Sequence, residues 1–252
     1  PGEAQEGHLL VLSEIEERIA GELAFATLEQ NLAEQGLRMV ADARVSSIGR
    51  TLVPYSDRPH LHYAFSVIEG DVPPRAFSLP GGHVVVSRTL IEEICQTDAD
   101  VAFILGHEIA HSALRHYADY YLQDGQQVAY VKDLLQRYQL FDTTTGNEAT
   151  FVAVEQILLP YMVKIRQLKE IEADQFGILY ALRAGYEFSG GFRVLGRLRQ
   201  RYGEAFDLEH YEGFEGTDLP LESPEHPNIS ERLDQLELFR IKALEVAKLF
   251  PL

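Results

Sequence analysis

The 252-residue sequence has a single cysteine, Cys95, and few basic residues for its acids: 22 Lys and Arg against 39 Asp and Glu, a formal charge of −17. One cysteine excludes an intramolecular disulfide and any Cys-rich zinc module. Cys95 itself reads as a packed small apolar residue. The acidic balance speaks against a protein that grips nucleic acid through its phosphates, and against docking on anionic lipid, which needs a basic patch. No apolar run approaches the roughly 18 to 20 residues of a membrane-spanning helix. Val101–Leu105 and Ile157–Leu159 are core-sized. Low-complexity tracts and internal repeats are lacking too. With no initiating Met and no signal-peptide hydrophobic region, the sequence reads as a mature or trimmed form. Nothing in it sets an oligomeric state.

What is present is an ordinary globular mix, 46% hydrophobic and 24% charged, long enough for a sizeable core. Helical periodicity dominates. Leu9, Leu12, Ile15, Ile19, Leu23 and Leu28 predict an amphipathic helix over 7–31 with an acidic outer face. Met39, Ala43, Ile48 and Leu52 suggest a second, ending at Pro54. Strand signatures follow at 61–68, 75–79 and 83–87, with Pro80-Gly81-Gly82 as the turn between the last two. Further helices are expected at 88–95, 98–122, 125–140, 148–185 and 188–202. A loop rich in Gly, Pro and acid spans 203–227, and a last helix capped by Ser230 runs to Leu249. No linker separates two cores. The fold class predicted is α+β, mostly α, in one domain over 1–252. Its expected parts are N-terminal helices (1–60), a small three-stranded sheet (61–87), a metal-binding helical core (88–202), and a lid loop with a C-terminal helix (203–252).

The chemistry centres on His107-Glu108-Ile109-Ala110-His111. Residues four apart on a helix share a face, so both imidazoles reach one metal ion. Glu108 lies about 100° round the helix from His107, free to touch a water on the metal without ligating it. This is the zinc-hydrolase pattern of two His ligands and a Glu base. A third ligand is needed, and Glu170-Ile171-Glu172-Ala173-Asp174 offers candidates. Glu170 and Asp174 are one turn apart on one face, with Glu172 about 200° away from Glu170. Spacing alone does not choose firmly between Glu170 and Glu172, nor exclude a solvated acidic face. Gly177, also on the Glu170 face, would let two metal-bearing helices approach closely. His60, His62, His116 and His210 lack partner spacing and read as surface or structural.

His107-Glu108-x-x-His111 followed by Glu170-x-x-Ala173-Asp174 resembles metallopeptidase family 48, the gluzincins related to HtpX and the CAAX prenyl proteases. Three further stretches fit in the same order. Ala76-Phe77-Ser78-Leu79-Pro80-Gly81-Gly82 resembles the family's edge-strand motif. Ala184-Gly185-Tyr186 resembles the end of its second metal helix, and His226-Pro227 with Arg232 its C-terminal motif. Arg75 and His83 depart from the usual pattern. The resemblance implies a zincin-like fold whose edge strand lies near one zinc ion. It implies His107, His111 and Glu170 as zinc ligands, Glu108 as base, Asp174 as a carboxylate behind a ligand His, and Glu172 as a bystander. His226 would stabilise the transition state or occupy the open zinc position. The absence of a membrane span points to the soluble periplasmic or lipoprotein-type branch, hence to a periplasmic or envelope-associated peptidase in protein quality control.

The Pro80–Gly82 turn suggests that Gly81, Gly82, His83, Val84 and Val85 present a free edge where an extended peptide substrate pairs by main-chain hydrogen bonds. The rival to a metalloendopeptidase is a chaperone or assembly factor that keeps zinc for structure or regulation. An inert structural metalloprotein would instead show a closed site with four protein ligands.

Overall fold

The computed structural model describes residues 13–116, 167–206 and 227–249. Ser13 opens the first helix, α1 (Glu14–Glu34): its side chain accepts from the Glu16 N–H while Glu16 accepts from the Ser13 N–H, a reciprocal cap. The face that packs is not the expected apolar stripe. Ile15, Ile19 and Leu23 are 65%, 52% and 65% exposed, whereas Glu17, Gly21, Leu28 and Leu32 are buried. The reason is close seating. A Cβ on Gly21 would lie 1.9 Å from the Pro80 carbonyl oxygen, so α1 rests its backbone directly on the Pro80–Gly82 turn.

Among the described residues the sheet has four strands, one more than the sequence suggests. β1 (Arg38–Val40), β2 (Ala64–Glu69), β3 (Ala76–Leu79) and β4 (His83–Ser87) lie in the order β1-β2-β4-β3. Of these three pairings, that of β2 with β4 is parallel and the others are antiparallel. β1 is three residues long, too short to alternate visibly, and the second helix, α2 (Ala43–Leu52), begins after it with Asp42 as cap. Because β4 pairs with β2 on one side and β3 on the other, it is central and not a free edge. Its run Val84-Val85-Val86 is buried on both faces, as central strands are. Ile68, Leu79 and Val85 pack under α1 with Leu28 and Leu32. Phe65, Val67, Val84 and Val86 face the other way, toward α2 and the third helix, α3 (Asp98–Leu114). Among the described residues the outer side of β3 carries no further strand.

A single π-helical turn, Leu90–Ile94, connects β4 to α3. Thr97 caps α3, with Asp100 returning the bond. Every residue from Ala99 to Ala113 is buried. α3 stops at Leu114, not at 122, because Arg115 adopts the left-handed conformation (φ 59°, ψ 39°). Helix α4 covers 167–183 and ends at Gly185 (φ 90°). Helix α5 (Ser189–Tyr202) crosses α3 where a Cβ on Gly190 would meet the Ala99 carbonyl at 2.3 Å. There Asp100, fully buried, accepts from Arg193 and Arg197 at 2.8 Å each. Helix α6 (Ile229–Leu249) is capped by Asn228, which accepts from the Glu231 N–H, and not by Ser230. Cys95 is buried, and burial pushes its thiol up to about 12, as expected of an inert packing residue. No helix among the described residues is long and apolar enough to cross a membrane.

Candidate metal centre

The two candidate metal helices meet through glycine. A Cβ on Gly106 of α3 would lie 2.5 Å from the Gly177 carbonyl oxygen, and one on Gly177 of α4 would lie 2.4 Å from the His107 nitrogen. Backbone therefore rests on backbone, and this crossing brings Glu170 to the histidines of α3. His107, His111 and Glu170 are all buried and form a group that could hold a metal ion. His107 Nε2 and His111 Nε2 are 3.0 Å apart, and they lie 3.4 and 3.3 Å from the two oxygens of Glu170. A tetrahedral zinc with bonds of 2.0–2.1 Å sets its ligand atoms about 3.3–3.4 Å apart. The three donors thus fit such an ion, and the pair of imidazoles with one carboxylate is a zinc-type set. Glu108 is buried next to His107 on α3.

Behind these donors lie further charged groups. Asp174 Oδ1 stands 2.9 Å from His107 Nδ1. Its carboxylate also accepts two bonds from Arg232 of α6, at 2.8 and 2.7 Å. Burial opposes the charge on Asp174, but the Arg232 guanidinium and His107 outweigh it and hold the carboxyl below the usual range. The sequence marks Arg232 only as part of a C-terminal motif. It could not show that the guanidinium grips Asp174, since 58 residues separate them.

Two features were not legible in the sequence. His116, expected at the surface or in a structural role, is buried, with its Nδ1 3.1 Å from His111 Nδ1 and its Nε2 3.2 Å from Glu172. Glu172 therefore contacts the site through His116. The signal was the five-residue step from His111, which matters only if the helix stops in between. Arg115 makes that stop at a cost of roughly 1–2 kcal/mol for a side chain in the left-handed region, and Glu17 of α1 reaches its guanidinium at 3.2 Å. Glu17 also takes two bonds from buried Arg58, at 2.8 and 3.0 Å. One carboxylate of α1 thus ties the C-terminal end of α3 to the loop after α2.

The residues expected to bind substrate lie elsewhere than on a free edge. Gly81 sits beneath α1 against Arg18, Gly82 lies against His62 and Tyr63, and His83 stacks on Phe25 of α1 at 4.7 Å. Val84 and Val85 are interior to the sheet. The turn joins β3 to β4, and the strand left outermost is β3, which precedes the turn. His226 and most of the proposed lid loop lie outside the described residues, as do the helix expected at 125–140 and the first part of that at 148–185.

Comparison with known proteins places these observations. The profile of peptidase family M48 matches residues 40–239. Three curated relatives bear the name mitochondrial metalloendopeptidase OMA1. That of Arabidopsis thaliana is 33% identical over 112 residues, covering 44% of this chain and 21% of the relative. That of Saccharomyces cerevisiae is 32% identical over 128 residues, covering 50% and 33%. That of Schizosaccharomyces pombe is 25% identical over 214 residues, covering 82% and 56%. The chain thus spans between about a fifth and just over half of these relatives. Among solved structures, Ste24p of S. mikatae gives a TM-score of 0.45 at 18% identity, over 85% of this chain and 56% of that one. The expected periplasmic or envelope location is overturned, because the relatives are named as mitochondrial. The motifs that carry the resemblance arrange metal ligands and encode no compartment.

Proposed function

This chain belongs to peptidase family M48, and on that premise we propose that it is a zinc-dependent metalloendopeptidase acting on extended or unfolded polypeptide. The observation that carries the reading is the convergence of His107 Nε2, His111 Nε2 and the Glu170 carboxylate at mutual distances of 3.0–3.4 Å. Zinc bound there supplies a Lewis acid that polarises the scissile carbonyl and lowers the pKa of water.

The protein's own groups do the rest. His107, His111 and Glu170 would hold the ion. Asp174, anchored by Arg232, keeps a proton on His107 Nδ1, so that Nε2 presents its lone pair. Glu108 takes the proton from the attacking water and passes it to the leaving amine. Burial keeps bulk water from screening these charges. The outer side of β3 gives an extended substrate a place to pair through main-chain hydrogen bonds, which makes side-chain selectivity loose.

The test is Glu108→Gln, which removes the base and spares the ligands. Cleavage of casein or a peptide should fall by about 10²–10⁴-fold, with zinc content unchanged. If the zinc-loaded wild type cleaves nothing and still suppresses aggregation of an unfolded protein, it is a binding factor and the proposal fails.

A further inference from the structure

We infer that His116 is a positioning residue for the metal centre, joining His111 to Glu172 through an added imidazole. This rests on the proposal that His107, His111 and Glu170 hold zinc.

The tautomers follow from valence. A neutral imidazole has one N–H and one lone pair. His111 turns Nε2 toward His107 Nε2 and Glu170, at 3.0 and 3.3 Å. If that nitrogen gives its lone pair to the metal, the proton of His111 must sit on Nδ1. The group facing it is His116 Nδ1 at 3.1 Å, which must then accept. His116 accordingly carries its proton on Nε2 and donates it to Glu172 Oε2 at 3.2 Å. Each donor meets an acceptor, and no imidazole need be charged. His107 has the shorter version, with Nδ1 directly on Asp174. Both ligand histidines therefore end on a carboxylate of α4, one directly and one across a bridging ring.

The fold holds His116 for this task. In a helix stop with a left-handed residue, the next side chain packs against the residue five back. Here the left-handed residue is Arg115 and the pair is His116 with His111, whose rings meet edge to face at 4.8 Å. The His116 N–H donates to the His111 carbonyl at 3.0 Å, and Lys169 donates to the His116 carbonyl at 3.0 Å. Both metal helices thus grip its backbone. Groups that orient a ligand His typically change metal affinity by about 10–100-fold when lost.

Two substitutions separate hydrogen bonding from packing. His116→Phe keeps a ring and removes the acceptor. His116→Asn loses the ring and places an amide oxygen near the position of Nδ1. Zinc dissociation constants are measured by chelator competition on the whole chain, alongside thermal unfolding of the metal-free proteins. The expected result is zinc binding about 10–100-fold weaker for Phe and within a few-fold of wild type for Asn. Equal binding by Phe and wild type, or equal weakening in Phe and Asn, overturns the inference. Should His116→Phe not fold, Glu172→Leu at a half-exposed position serves instead. It should weaken zinc binding several-fold, and unchanged affinity overturns the relay. Wild-type protein that binds no zinc overturns the metal-centre reading, and this inference with it.

Discussion

Gly177→Ala is the sharpest test of how the two metal helices are held together. On helix propensity alone the change should help, by up to about 1 kcal/mol. The crossing reverses that expectation. The new methyl would lie 2.4 Å from the His107 nitrogen, 2.7 Å from the Gly106 carbonyl carbon and 2.8 Å from the His107 Cα. These are main-chain atoms, and no rotamer can move them aside. Restoring an ordinary contact of 3.4 Å requires α3 and α4 to separate by roughly 1 Å. Overpacking of this kind costs about 1–3 kcal/mol. With backbone as the obstacle the upper end applies, leaving about 2 kcal/mol of net destabilisation. For a chain of this size that lowers Tm by about 4–8 °C. The same separation spreads Glu170, two turns along α4, from His107 and His111, whereas a zinc site tolerates only about 0.2 Å. Zinc affinity should fall with stability. Circular dichroism melts of metal-free protein and zinc competition titrations read the two effects. Gly196→Ala is the internal control: nothing lies within 4 Å of its Cβ position on α5, so Tm should hold or rise by about 2–4 °C. A Gly177→Ala protein that melts at or above wild type and binds zinc normally would refute the reasoning.

Three other outcomes follow from the geometry. Burial disfavours the charge on Asp100, but Arg197, the Gln96 N–H, Thr97 and Arg193 outweigh it and lower its pKa. The stability it contributes is complete above the unfolded value of about 3.9 and is lost as pH falls through the lower folded value. Asp100→Asn should therefore cost about 2 kcal/mol near neutrality, discounted for the partly exposed arginines, and flatten the acid limb of a urea-stability profile below about pH 4. Chelation should lower the Tm of wild type, by about 2.7 kcal/mol of stability if zinc had been at 100 times its Kd. Glu170→Gln should abolish most of that difference, as read by melts with and without chelator.

What the sequence revealed follows the range of the physics involved. His107, Glu108 and His111 are fixed relative to one another by helix geometry, so their spacing was enough to relate them. Glu170 lies on another helix, and only resemblance ranked it above Glu172. The stop at Arg115 was hidden because the usual sign of a left-handed cap is Gly or Asn, and without that stop the contact of His116 with His111 could not be seen. The Pro80–Gly82 turn announced a hairpin but not which of its strands lies outside. That depends on β2, whose pairing with β4 arises from tertiary packing. Ile15, Ile19 and Leu23 misled for the same reason. The burial of α1 is decided by Gly21 fitting the Pro80 carbonyl, a contact with no counterpart in hydropathy.

Helix α1 also bears on what counts as the smallest folding unit. A fragment starting at β1 would retain every proposed metal ligand and the whole sheet. It would nonetheless leave Ile68, Leu79 and Val85 facing water, and remove the Glu17 carboxylate from Arg58 and Arg115. The residues that bind and the residues that let the binding site persist are therefore not the same stretch of chain. The minimal autonomous unit has to begin no later than Ser13, where the cap that starts α1 is formed.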